Sequence, residues 1–136
     1  MKNILLLLLF VGLFSCKEKQ LTPEELQPLV GKWRLNAVQQ EGKDWEVVTQ
    51  SGQHQFEIRY DGVILDSNGL PACCGPKFLK VNGKVFTIEP KESLPTNPTC
   101  ALVNCFACET WDIDLQGNTL ILSSCLGANR SRYEKL

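Results

Sequence analysis

One histidine serves the whole chain. His54 is the only imidazole in 136 residues, so any Ser-His-Asp or Cys-His mechanism would have to run through it. It stands in GQHQFEI, at an expected strand start, with no nucleophile elbow or carboxylate signature beside it, and reads as a strand-end residue. Basic blocks are missing too. The 14 Lys and Arg are scattered singly against 15 Asp and Glu, which argues against nucleic acid as a partner. Beyond Phe14 no apolar run is long enough to span a bilayer, and there is neither an internal repeat nor a low-complexity tract. These absences leave no catalytic residue to name, no cofactor and no metal. The expectation is a single non-enzymatic domain, with a core large enough to fold alone.

Cysteine, by contrast, is plentiful and odd in number: Cys16, Cys73, Cys74, Cys100, Cys105, Cys108 and Cys125. The first of them ends the opening MKNILLLLLFVGLFSCKEK. Lys2 precedes an apolar run of 11 residues, Ile4 to Phe14, against the roughly 20 a membrane-spanning helix needs. That layout is a secretory leader. Its end, Leu13-Phe14-Ser15-Cys16, resembles the lipobox of bacterial lipoproteins. The resemblance implies cleavage before Cys16 and a lipid on that residue: a signal peptide over 1–15, a tether over 16–21 and a domain over 22–136. The alternative is an ordinary leader followed by a buried cysteine. Exported chains usually pair their thiols. With Cys16 carrying lipid, the other six can close as three disulfides. Lys17 rather than Asp follows Cys16, which by the enterobacterial sorting rule implies the outer membrane. A bacterial chain also gives no weight to the glycosylation triplet Asn129-Arg130-Ser131.

Downstream of the tether, LTPEELQPLVG carries a helix start. Thr22 caps, Pro23 suits the first position, Glu25 completes a capping box, and Pro28 and Gly31 stop the segment. A helix of about two turns over 23–29 is too short to stand alone and must lie on something. From Gly31 the period drops to two. Trp33, Leu35 and Ala37 alternate with Lys32, Arg34 and Asn36, and Phe56, Ile58 and Tyr60 with Glu57 and Arg59. Asp61-Gly62, Ser67-Asn68-Gly69, Asn82-Gly83 and Gly117-Asn118 are turn signals. Asn82-Gly83 suits a type I′ hairpin loop, and Gly117 supplies the positive φ of a type II′ turn. About eight antiparallel strands follow one short helix, which suits an up-and-down barrel or a sandwich.

Gly31-x-Trp33 on the first strand, after a short helix and before a meander that ends RYEKL, resembles the small lipocalin-like lipoproteins of Bacteroidetes-type bacteria. The resemblance implies an all-β, up-and-down barrel of about eight strands. It also implies that Trp33 fills the barrel floor and that Arg132, or Arg130, stacks on it with a cation–π component. The middle lacks a T-D-Y motif and the chain is short, so the barrel can equally be filled with side chains.

Three constellations could hold chemistry. Cys105-x-x-Cys108 has thioredoxin spacing, but it runs into a strand without the helix N-terminus that would lower a thiol pKa. Cys73, Cys74, Cys105 and Cys108 could surround zinc, though an exported chain oxidises its thiols and a vicinal pair spans one ion poorly. Asp112 and Asp114 share a strand face, as solvated residues do. Disulfides are the better reading. If Gln116 faces Thr119 across the Gly117-Asn118 turn, Thr110 faces Cys125 and Cys108 is diagonal to it, slightly beyond reach unless regular pairing ends there. The expected bridges are Cys108–Cys125 on the outside of the barrel and one from each of Cys73 and Cys74 to Cys100 and Cys105. They pin loop 70–78 to loop 94–108.

Two functions follow. The first is a lipid-anchored envelope protein, monomeric, whose barrel binds a small apolar ligand. The second is a module with a filled barrel whose disulfide-pinned loops contact another envelope protein. The interior separates them, since an open apolar cavity favours the first and exposed apolar loop residues the second.

Overall fold

The computed structural model describes residues 18–49, 54–106, 108–123, 125 and 128–136. The leader and Cys16 lie outside the described residues. The expected helix forms as one α-turn, α1 (Pro23–Leu26), continued by a 3-10 turn at Gln27–Leu29. Its capping box closes as the sequence requires: Thr22 N donates to the Glu25 carboxylate at 3.0 Å, and Glu25 N donates to Thr22 Oγ1 at 3.3 Å.

Among the described residues nine strands follow: β1 (Gly31–Gln39), β2 (Glu46–Val47), β3 (Gln55–Ile58), β4 (Ile64–Leu65), β5 (Phe78–Val81), β6 (Lys84–Thr87), β7 (Thr110–Gln116), β8 (Thr119–Ser123) and β9 (Arg130–Lys135). They form one sheet in the order β4-β3-β1-β9-β8-β7-β5-β6, with β2 added alongside β1. First and last strands pair, as in a barrel, and the sheet curls around a single core. No ladder joins β4 to β6 among the described residues, so the architecture is an all-β half-barrel.

The expectation that every pair is antiparallel fails at one place. β5 and β7 run parallel, Phe78 beside Thr110 and Val81 beside Ile113. Short links exclude a parallel pair, but the link that matters here is long. β6 already finishes at the end where β5 began, and residues 88–109 carry the chain past β5 to start β7 on its other side at that same end.

Both hairpin turns form where the residue types demand. Asn82 and Gly83 take φ of 47° and 82°, and Gly117 takes 59°; these values suit Asn and Gly far better than a branched side chain. The β7–β8 register pairs Gln116 with Thr119 and Asp112 with Ser123.

The core is solid. Leu26, Leu29, Trp33, Ile58, Leu79, Ile113 and Leu120 are fully buried, with Phe56, Trp111, Leu115, Leu122 and Tyr133 packed around them. Phe56 meets Trp111 and Tyr133 edge-to-face at 5.6 and 4.9 Å. Trp33 is fully buried near the start of β1, and its indole N–H donates to Leu29 O at 2.8 Å, which ties the short helix over the end of the sheet. Tyr60, expected on the inner face, is exposed because β3 ends at Ile58 and Tyr60 already belongs to the turn.

Arg132 does not stack on Trp33. Lys135 lies over that ring at 5.5 Å, and Arg132 lies over Trp45 at 5.0 Å. Register explains the exchange. Trp33 pairs with Lys135, while a bulge between Leu35 and Ala37 sets Ala37 opposite Arg132. The extra residue, Asn36, shares the outer face with Arg132 and Glu134, while Trp33, Leu35 and Ala37 keep their alternation as buried residues.

Where the barrel would close, side chains and a clamp take the place of a ladder. Gly62 (φ 82°) abuts β6 so closely that a Cβ there would lie 2.8 Å from the Phe86 ring and 3.2 Å from Ile88. Asp61, 2% exposed, holds the same junction. It accepts from Arg59 Nε at 3.1 Å and Nη2 at 2.6 Å, and from the backbone N–H of Val63 at 3.4 Å and of Lys91 at 3.0 Å.

Candidate functional site

Strand direction gives the molecule two unlike ends. β3, β5, β7 and β9 start, and β1, β4, β6 and β8 finish, at one of them. The other carries the short helix, the buried Trp33 and the Asn82-Gly83 and Gly117-Asn118 turns. The N-terminal segment belongs with the floor. Gln20 bridges Val85 in parallel, with Leu21 N bonded to Val85 O at 2.8 Å and Val85 N to Lys19 O at 2.9 Å. Lys19 and Glu18 therefore lie toward the Asn82-Gly83 turn.

The cysteines gather at the opposite end, paired as the register and the vicinal argument require. Cys73–Cys100, Cys74–Cys105 and Cys108–Cys125 have Cα separations of 5.0, 5.4 and 5.6 Å. Regular β7–β8 pairing stops at Asp112–Ser123, which lets the Cys108–Cys125 bridge close the diagonal. Cys108 is buried and Cys125 exposed. The four sulfurs weighed for zinc enter three different bridges, and the Cys105-x-x-Cys108 pair is split between two. Among the described residues no group of three or more His, Cys, Asp and Glu gathers as a metal site would.

Two of the bridges clamp the ends of a short loop. Residues 98–102 make a 3-10 turn capped by Asn97, whose Oδ1 accepts from Thr99 N at 3.1 Å and Thr99 Oγ1 at 2.7 Å. The Asn97 amide donates to Asp66 Oδ2 at 3.0 Å and Pro71 O at 2.9 Å, so its buried polar groups are satisfied and the stem is fixed. On this stem stand three exposed apolar residues: Leu102 at 89%, Val103 at 47% and Phe106 at 75%. At the foot of the loop Lys77 bonds Glu109 at 2.6 Å and holds its carboxyl below the usual glutamate range. The cysteines predict the pinning of this loop, while Leu102, Val103 and Phe106 follow no period; their only sequence signal is an apolar triplet inside a cysteine-bounded, proline-led loop.

Beside the loop, at the β4–β6 junction, lies a shallow groove of about 280 Å³ lined by Val63, Ile64, Pro71, Ala72, Ile88, Pro90 and Leu94 with Lys77 at its rim. His54 is exposed at the start of β3. Asp112 faces Lys80 at 3.6 Å, and Asp114 accepts from Gln116 at 3.1 Å, so each of these carboxylates has a separate neighbour.

What fold and site define together is a disulfide-stapled β half-barrel that displays one apolar loop. Comparison with protein-family models, with curated proteins and with solved structures finds no match for the chain.

Proposed function

We propose that this chain is a binding module of a bacterial cell envelope, tethered by a lipid on Cys16 and using its disulfide-pinned loop to hold a partner protein. One observation carries the reading: Leu102 and Val103 stand in water between the bridged Cys100 and Cys105, and Phe106 stands in water directly after them. Exposed apolar side chains normally scatter singly on a monomer, and clustering marks an interaction site. The staples matter energetically, because a loop already ordered loses little entropy on binding. A protein fits better than the lipid surface as the occupant. A tether leaving beside the Asn82-Gly83 turn puts the loop at the far end of the molecule from the anchor. The buried packing of Trp33, Ile58, Leu79, Ile113 and Leu120 supports the same choice over a ligand in the barrel. The Bacteroidetes-type lipocalin-like resemblance agrees with an outer-membrane home and leaves the partner open.

A second reading keeps the small apolar ligand and moves it to the groove at the β4–β6 junction, whose apolar lining supports it. One experiment separates the two. A photo-crosslinker at Val103, expressed in the native host, should give a discrete protein adduct. Leu102→Asp with Phe106→Asp should abolish it without lowering the melting temperature. An adduct indifferent to both substitutions refutes the loop, and a small molecule retained in native mass spectrometry of the double variant supports the groove.

A further inference from the structure

We infer that Arg130, Arg132 and Trp45 form a binding site for a small oxyanion, a phosphate or carboxylate group, on the outer face of the sheet. Arg130 and Arg132 are two apart on β9, so they leave the same face. That face is opposite the one on which Tyr133 packs into the core. β9 lies between β1 and β8, so the pair sits within the sheet and not at an edge. Trp45, just before β2, brings its ring centre to 5.0 Å from the Arg132 guanidinium carbon and 5.7 Å from that of Arg130. Each contact is attractive. The two cations gathered on one ring repel each other, and a shared anion relieves that repulsion.

The described residues place no carboxylate within ion-pair distance of either arginine. Ion pairs there use Arg34, Arg59, Lys77, Lys80, Lys84 and Lys91. Glu134, next on the same face of β9, accepts from Asn36 and faces Arg34 at 4.0 Å. Asp44 and Glu46 flank Trp45 in sequence and are exposed. Asn36 Oδ1 accepts from Arg132 Nε at 2.9 Å, which fixes the plane of that guanidinium and commits Nε while its terminal nitrogens keep their donors. Ser123 stands opposite Arg130 in the β8–β9 ladder and adds a hydroxyl on the same face. Two planar forks, one of them held in place, suit the paired oxygens of a phosphate or carboxylate and suit chloride poorly.

The test is titration of the folded domain with inorganic phosphate and, separately, citrate at constant ionic strength, with sodium chloride as the control. The readout is the Trp45 indole N–H resonance, assigned with Trp45→Phe. A saturable shift is expected with at least one anion, weakened by roughly tenfold or more in Arg132→Gln and in Arg130→Gln and unchanged in Arg34→Gln. Response to phosphate alone or citrate alone names the group bound. If Arg132→Gln fails to fold, Arg132→Lys keeps the charge, loses the fork and should weaken binding too. A shift that chloride reproduces, or an affinity that none of the β9 substitutions alters, overturns the site.

Discussion

Replacing Asp61 tests the junction that stands in for barrel closure. Its carboxylate is the acceptor for a paired guanidinium and two backbone N–H groups, with side-chain exposures of 17% for Arg59 and 0% for Asp61. Asp61→Ala leaves a mostly buried cation and two donors without their partner. Breaking a buried pair from one side costs about 3–5 kcal/mol. Taking roughly 3 kcal/mol as the lower bound, the melting temperature of a domain this size should fall by about 10–20 °C. Asp61→Asn keeps one acceptor oxygen and should fall between wild type and alanine. Acid supplies an independent check. Burial pushes the Asp61 carboxyl up, but hydrogen bonds from Arg59, Lys91 and Val63 outweigh it and hold the group below the ordinary aspartate value. A carboxylate depressed on folding stabilises fully above its unfolded pKa, about 3.9. That stability is lost as pH falls through the folded value. The stability gap between wild type and Asp61→Asn should therefore be constant near neutrality and shrink in acid below about pH 4. Thermal melts by circular dichroism across pH measure both effects. An Asp61→Ala protein melting within about 2 °C of wild type, or a gap that widens in acid, would refute the clamp.

Peptide mapping without reduction should return Cys73–Cys100, Cys74–Cys105 and Cys108–Cys125, and Cys108→Ser with Cys125→Ser should cost about 2–4 kcal/mol in denaturant titration. Trp33→Ala should cost about 3–5 kcal/mol; an unchanged melting temperature would remove Trp33 from the core. Gly62→Ala should destabilise by about 1–3 kcal/mol, because the new methyl meets the Phe86 ring, and Phe86→Leu in the same chain should recover part of the loss. Cys16→Ser should leave the protein unprocessed or soluble, and intact-mass measurement of the wild-type chain showing cleavage at another site with Cys16 an unmodified thiol or in a disulfide would disprove the lipid.

Local chemistry was the legible layer. Thr22 with Glu25, Asn82 with Gly83, and Gly117 each satisfy a backbone demand within a few residues, so sequence neighbours carry the whole argument. The Cys108–Cys125 bridge was legible for the same reason, since a two-residue turn sets the register of everything zipped behind it. The parallel β5–β7 pair was not, because it depends on where a long loop lands and no residue in either strand encodes direction. Arg132 misses Trp33 because the register sets Lys135, three residues further along β9, opposite that ring. Trp45 escaped notice because the strand beside it, Glu46–Val47, is only 2 residues long and shows no period.

The backbone of Lys19–Leu21 runs alongside β6 in the same direction, bonded to it on both sides of Val85. This has a mechanical meaning for a chain held by its N-terminus. Tension on the tether acts along the strand axis and strains both hydrogen bonds together, in shear, where a perpendicular pull would open them one after the other. The segment also covers the outer edge of β6 at Val85, which would otherwise invite another strand. Under the proposed Cys16 anchor, a pull strong enough to strip this short parallel contact would expose that edge.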